Sequence, residues 1–268
     1  MMKILVLNAE GMVGHVMAIV FREHGHDVVG FEDVCNLSAL GDIISKNCFD
    51  AIINCSAVIN QDADHDHVAA IQINSLLPHF LAAKTSDSKT VVVHRSTDCI
   101  FSGQKGQYTL EDRPDATSFY ARSKALGEIV NEKDITIRTS LIGPEMDSAG
   151  KGLFNWFYHQ KGDVRGYANA IWTGLTTIEF AREVEWLLKN KRHGLFQLVP
   201  LKSISKYNLL LLFEKYYPAN RQIICFENPL VDKSLVQVSD EVTIPDYETM
   251  IADMREWTEK HQSIYNYK

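Results

Sequence analysis

A short apolar run, Lys3-Ile4-Leu5-Val6-Leu7-Asn8, leads into Ala9-Glu10-Gly11-Met12-Val13-Gly14 and then into a helical pattern from His15 to His24. Strand, glycine turn and helix in that order constrain the fold more than any other stretch, because a buried strand that feeds straight into a helix needs a covering layer and a parallel partner. The same alternation continues. Asp27–Glu32, Ala51–Ala57, Thr90–Ser96 and Ile135–Ser140 are apolar and β-branched, whereas Ser38–Lys46, His67–Lys84 and Thr117–Glu132 carry helical periodicity. Strands separated by helices imply right-handed crossovers and an α/β fold built on a doubly wound parallel sheet.

In a Rossmann-type sheet of this kind a ligand lies beyond the C-terminal strand ends. Asn8, Glu32, Asn54 to Ala57, Ser96 to Asp98 and Arg138 to Ser140 all fall at or just past such an end. A dinucleotide-binding turn needs small residues so that the backbone approaches the diphosphate, whose charge rests on free N–H groups at the helix N-terminus. Gly11 and Gly14 supply two small positions, with Met12 and Val13 between them. Asn8 stands where the first glycine of the usual triplet would be, and asparagine tolerates left-handed backbone. Glu32, after the second strand, is placed to accept hydrogen bonds from the adenosine ribose hydroxyls and to repel a 2′-phosphate, which favours NADH over NADPH. The competing reading is that Glu32 and Asp33 merely solvate a strand end.

Tyr120 and Lys124 lie four residues apart in Phe119-Tyr120-Ala121-Arg122-Ser123-Lys124-Ala125-Leu126-Gly127-Glu128, a spacing that stacks both side chains on one helical face. An ammonium beside a phenol favours the phenolate, so the pair is expected to pull the tyrosine pKa down from about 10 and to act as a general acid for carbonyl reduction. A half-buried ring next to a solvated ammonium is the plain alternative.

With 268 residues, 46% hydrophobic and 23% charged, the chain buries enough surface for one or two close-packed domains. A net charge of −7 without a basic stripe excludes nucleic acid as the main partner. Cys35, Cys48, Cys55, Cys99 and Cys225 lack CxxC spacing and read as reduced thiols of a cytoplasmic protein. No apolar stretch is long enough to cross a bilayer and no targeting segment is visible. The division expected is a dinucleotide-binding domain from 1–142 and 171–199, with a smaller, discontinuous C-terminal substrate lobe from 143–170 and 200–268. Within these, Thr176 to Lys189, Ile204 to Tyr217 and Tyr247 to His261 read as helices.

Ile53-Asn54-Cys55-Ser56-Ala57, Asp62, Asn74, Ser96-Thr97-Asp98-Cys99-Ile100-Phe101-Ser102-Gly103, the tyrosine–lysine pair with Gly127-Glu128, and Ile137-Arg138-Thr139-Ser140 together resemble the extended short-chain dehydrogenase/reductases, and within them the dTDP-4-dehydrorhamnose reductase branch. The resemblance implies that Tyr120 protonates a carbonyl oxygen, that Lys124 binds the nicotinamide ribose, and that Thr97 hydrogen-bonds the reacting oxygen. It implies a cofactor set of Asn8, Gly11, Met12, Val13, Gly14, Glu32, Asn36, Cys55, Ser56 and Ala57, joined by Tyr120 and Lys124. Asp98, Cys99 and Trp172 would border the substrate, and Asn74 would serve as structural support near the lysine. The cofactor implied is NADH or NADPH, and the substrate a nucleotide-linked 4-keto-6-deoxy sugar. A homodimer is compatible with it.

Two positions depart from the branch. Cys99 fills the slot that holds a tyrosine in the reductases and the second, glutamate position of an Asp-Glu pair in the dehydratases, and Ser102 replaces an acidic residue; both leave the sugar open. Two other functions stay in view: an epimerase of the same superfamily that keeps its nicotinamide bound through turnover, and a nucleotide-binding regulatory subunit without chemistry. The segment from Asp62 to His67 is rich in potential metal ligands, but no further region supplies ligands at a recognisable spacing, so no metal is expected. His24 and His26 flank a capping Gly25 and are expected to face solvent. Trp156-Phe157-Tyr158 is read as core, with stacking on a nucleotide base as the alternative.

Overall fold

The computed structural model describes residues 1–237, 242–265 and 267. It begins with β1 (Lys3–Leu7), α1 (Met12–Glu23), β2 (Asp27–Phe31), α2 (Leu37–Lys46) and β3 (Ala51–Asn54). Two short helices follow, α3 (Asn60–His65) and α4 (His67–Ala70), then a π-helical turn over Ile71–Leu76 and α5 (Leu77–Lys84). β4 (Val91–Arg95), α6 (Phe119–Leu126) and β5 (Ile135–Arg138) complete the part that positions the site.

The central sheet runs β5-β4-β3-β1-β2, with the strand Gly194–Gln197 outside β5. β1 pairs in parallel with β2 on one side and with β3 on the other, in the registers Leu7 to Phe31 and Leu7 to Asn54. β3 pairs with β4 and β4 with β5 in the same sense. Connections therefore leave β1 in opposite directions, which opens a crevice beyond the ends of β1 and β3. Ile4 to Leu7 and all of β3 are buried, as expected of strands covered on both faces. Leu5, Leu7, Leu40, Ile44, Leu81 and Val92 form one side of that core.

The structure divides into two compact units: Met1–Phe101 with Arg113–Arg138 and Ala181–Phe196, and Ser102–Asp112 with Thr139–Phe180 and Gln197–Lys268. The boundary differs from 142/143, and 171–180 does not return to the sheet-bearing unit. Pairing explains why. Leu141–Ile142 pairs in parallel with Leu175–Thr176, and Tyr108 exchanges backbone bonds with Ser234 and Val236 at 2.8 and 2.9 Å.

The second unit contains the helices Lys206–Tyr216 and Tyr247–Lys260 and a parallel strand pair, Val164–Tyr167 with Ile223–Phe226. Its core centres on Phe154, whose ring lies 4.6 Å from that of Tyr217 and 4.9 Å from that of Tyr267. The Trp156-Phe157-Tyr158 run splits accordingly: Phe157 is buried and Trp156 is 43% exposed. Among the described residues no helix is long and apolar enough to cross a membrane.

Two expected helices are interrupted or shortened. The run 67–84 breaks into the π-helical turn because Pro78, at the start of α5, has no N–H to give to the carbonyl of Asn74. The helix expected over 117–132 ends at Leu126, since Ile129 N–H and O are taken by Thr136 Oγ1 at 3.1 and 2.6 Å. Glu128 is drawn into a buried pair with Arg138, accepting from its Nε and Nη2 at 2.8 Å each and from Ser96 Oγ at 2.7 Å.

His24 and His26 do not simply face solvent. Gly25 takes the positive φ of 81° that the turn requires, and His24 Nδ1 and His26 Nε2 each lie 2.8 Å from a carboxylate oxygen of Glu185. His26 Nδ1 accepts from Met2 N–H at 3.0 Å, which leaves Nε2 as the donor. Burial pushes the Glu185 pKa up, but bonds from Lys189, His26 and His24 outweigh it and hold the carboxyl down at about 2. A depressed carboxyl pKa gives stability that is complete above the unfolded value near ~4.3 and is lost as pH falls towards the folded value. Urea-unfolding midpoints measured from pH 5 downward are therefore expected to fall more steeply for the native sequence than for Glu185→Gln. Equal slopes would show that this clamp carries no pH-linked stability.

Candidate active site

β1 delivers the chain to Asn8, which adopts φ 56° and donates its backbone N–H to Phe31 O at 2.8 Å. The helix α1 then starts at once. A Cβ on Gly14 would stand 1.9 Å from Asn8 O, and one on Gly11 would stand 2.4 Å from Asn8 Nδ2. Only glycine allows this close start. Gly11 caps α1 without a side-chain bond, and the first turn holds no acidic residue, so the N–H groups at the start of Met12–Glu23 are uncompensated by carboxylate. Such a cradle fits the diphosphate of a dinucleotide. At the neighbouring strand, a Cβ on Gly30 would lie 2.9 Å from Ala9 Cβ and 4.0 Å from Glu32 Oε1, which puts Glu32 beside the same turn.

Past β3, Asn54 Oδ1 accepts from Ser56 N–H at 3.1 Å and Asn54 Nδ2 reaches His94 Nδ1 at 3.2 Å. Cys55 is buried, and burial pushes its thiol up to about 12 while Arg95 pulls the other way. Ser56 Oγ is buried without a partner, an orphaned hydroxyl beside Ala57 at the crevice. Asn36, by contrast, spends its side chain on capping α2, accepting from Ala39 N–H at 3.1 Å.

Beyond β4, Thr97 Oγ1 accepts from Cys99 N–H at 3.1 Å and lies 3.2 Å from Asp98 Oδ1. Thr97 also lies close enough to the phenol of Tyr120 to favour its ionised form. Ser118 starts α6 by accepting from Ala121 N–H at 3.2 Å, and Lys124 one turn after Tyr120 is fully buried. Its Nζ donates to Arg95 O at 2.6 Å and lies 3.4 Å from His94 Nε2. Burial, then the charge of Arg95, push the Lys124 pKa well below the ordinary lysine value.

The expected fall in the Tyr120 pKa is corrected by this geometry. Burial raises the phenol to about 12, with Cys99 adding to the rise, and the opposing influences come from Arg95 and the neighbouring Thr97 hydroxyl. Lys124 is directed at a backbone carbonyl and takes no part. At neutral pH the phenol is protonated, the form that can give a proton away.

Asn74 ties these parts together. In the π-helical turn its Oδ1 accepts from Val58 N–H at 2.9 Å, and its Nδ2 donates to Val58 O at 2.8 Å and to Ser123 Oγ at 3.0 Å. Ser75 Oγ donates to Ser123 O at 2.8 Å. Gly127 lets the end of α6 approach, since a Cβ there would sit 1.9 Å from Asn74 O. The loop after β3 and the helix bearing Tyr120 are thus fixed to one another. The acidic segment supports the same helix: Asp64 Oδ1 accepts from Phe119 N–H at 3.3 Å, and the His67 ring stacks on Phe119 at 3.9 Å. Among the described residues no group of three or more His, Cys, Asp or Glu side chains is arranged to hold a metal ion.

Thr97, Asp98, Cys99, Tyr120 and Lys124 therefore gather at the C-terminal end of β4, and Asn8, Gly11, Gly14, Cys55 and Ser56 at the ends of β1 and β3. Trp172 belongs to the second unit, where it is buried with its ring 5.7 Å from that of Tyr247. Arg95 and His94 went unnoticed in the sequence. A histidine–arginine pair at the end of an apolar strand is the only signal they leave there.

The family model described as RmlD substrate binding domain matches residues 2–151. The chain belongs to this family. RmlD relatives include a probable low-salt glycan biosynthesis reductase from Haloferax volcanii, 30% identical over 157 residues, covering 51% of this chain and 52% of that protein. A dTDP-4-dehydrorhamnose reductase from Burkholderia thailandensis is 34% identical over 133 residues, 48% of this chain and 45% of that protein. The match thus spans about half the length of these curated relatives. The RmlD fold extends further: a dTDP-4-dehydrorhamnose reductase from Bacillus anthracis, solved in complex with NADP, superposes with a TM-score of 0.85 at 18% identity over 96% of this chain and 100% of that one.

Removing the Asn74 side chain leaves Val58 N–H and O without partners, and buried unpaired groups cost ~1–3 kcal/mol each. Asn74→Ala is expected to lower the unfolding free energy by about 2–3 kcal/mol in denaturant titration. A change below a few tenths would show that the tie is dispensable.

Proposed function

We propose that this protein reduces the keto group of a nucleotide-linked 4-keto-6-deoxy sugar with NADH or NADPH, in the biosynthesis of nucleotide sugars for polysaccharide. The observation that carries the reading is a buried, protonated Tyr120 beside Thr97, one helical turn from a fully buried Lys124. Membership of the RmlD family supports it, as do the reductase names of the relatives.

The bound nicotinamide supplies hydride. Asn8, Gly11, Met12, Val13 and Gly14 form the turn that holds the diphosphate, and Glu32 accepts from the adenosine ribose. Cys55, Ser56 and Ala57 line the crevice past β3. Tyr120 gives its phenolic proton to the carbonyl oxygen, and Thr97, once its single O–H turns from Asp98 Oδ1, donates to that oxygen as negative charge develops. Lys124 keeps α6 against the end of β4 and is the donor for the nicotinamide ribose. Asp98 and Cys99 border the sugar.

With only the proton donor lost, Tyr120→Phe is expected to lower turnover by about 10²–10⁴-fold while dinucleotide affinity stays within a few-fold. Near-native turnover in that variant, followed by NAD(P)H oxidation with a panel of nucleotide-linked 4-keto sugars, would remove Tyr120 as the acid. Glu32 favours NADH by repelling a 2′-phosphate. Glu32→Ala is therefore expected to raise the ratio of kcat/KM for NADPH over NADH, and an unchanged ratio would take the selecting role from Glu32.

A further inference from the structure

Arg95 is the last residue of β4, and its two ends serve different partners. Its carbonyl receives Lys124 Nζ at 2.6 Å. Its Nη2 reaches Cys55 O at 3.4 Å, a long bond at the edge of usefulness. β4 neighbours β3 and β3 neighbours β1. A side chain that leaves the end of β4 and meets Cys55 therefore leans across the end of β3, towards the crevice where the strand order turns. There its Nε is buried without a hydrogen-bond partner, and no carboxylate is paired with it among the described residues.

An unpaired buried N–H on a permanent cation is costly to keep, and a guanidinium presents a planar fork suited to phosphate oxygens. The charge is felt around it: after burial it pushes Lys124 towards its neutral form, and after burial and the charge of Lys124 it does the same to His94. A neighbouring anion would relieve that repulsion. Glu32, at the end of β2 on the far side of β1, marks the adenosine ribose end of the crevice, so the lean towards Cys55 points to the middle of the cofactor.

We propose that Arg95 binds the central diphosphate of the dinucleotide, adding a side-chain cation to the backbone cradle at the start of α1. The inference rests on the reading of this crevice as a dinucleotide site.

Titration calorimetry with NADH, NADPH and ADP-ribose, without any sugar, tests it on the native chain, Arg95→Met and Arg95→Lys. Arg95→Met is expected to weaken all three ligands alike by about ten- to a hundredfold, the scale of a lost hydrogen bond to a charged group. Arg95→Lys is expected to keep most of the affinity, since the charge remains. Native-like affinity of Arg95→Met for NADH and ADP-ribose overturns the proposal. A loss confined to NADPH also overturns it, by moving the guanidinium to the 2′-phosphate. Should Arg95→Met not fold, Arg95→Gln replaces it: the same loss supports the proposal and no loss overturns it. If the native chain binds none of the three, the dinucleotide reading falls together with the role of Arg95; if it binds and Arg95→Met or Arg95→Gln matches it, the role of Arg95 falls alone.

Discussion

A lysine with no exposed surface, Lys124, held by the carbonyl of Arg95, is the constraint on which the site depends. Burying an ammonium costs free energy unless its donors are satisfied, so the bond from Nζ to the last carbonyl of β4 leaves α6 little freedom to slide or rotate. Tyr120, one turn earlier on the same face, is thereby delivered to Thr97, which belongs to the chain just past that carbonyl. Sheet edge and helix are registered through one contact. Asn74, Ser75 and Ser123 then lock the outer side of α6, and the π-helical turn that Pro78 imposes turns Asn74 inward. Asn74, which ties the helix bearing Tyr120 to the loop after β3, is accordingly fully buried.

Much of this was readable from sequence wherever local pattern sufficed. The run Lys3 to Leu7, the small residues Gly11 and Gly14, and the four-residue interval between Tyr120 and Lys124 each impose their structure through neighbours in the chain. What escaped depended on strand order or on contacts distant along the chain. Arg95 ends an apolar run and looks like an ordinary polar strand terminus; that it leans to Cys55 follows only once β4 is known to lie beside β3. The compact units divide after Arg138 and not after 142, because Leu141–Ile142 finds its partner at Leu175–Thr176. His24 and His26 looked solvated because the carboxylate that gathers them, Glu185, comes from a helix far along the chain.

The direction of the Tyr120 pKa was misjudged for a related reason. A helical interval of four brings two side chains to one face, but it does not say that their tips meet. Lys124 satisfies a backbone carbonyl, and the phenol is left to the desolvating surroundings of Ala63, Ala70, Val58 and Phe119. Burial then outweighs the charge of Arg95 and the nearness of the Thr97 hydroxyl.

That balance suits the chemistry in a way that a depressed pKa would not. A proton donor must be protonated before reaction, and a phenol held at about 12 meets that condition at any physiological pH. It must also tolerate the phenolate left behind, and the influences that favour this anion, Arg95 and Thr97, are already in place when the charge appears. An anion held by Arg95 would weaken its help to the phenolate. In the proposed reduction, cofactor binding and phenol acidity are thus coupled through one guanidinium: the fuller its pairing with phosphate, the higher the phenol is held and the more of the help to the phenolate falls to Thr97.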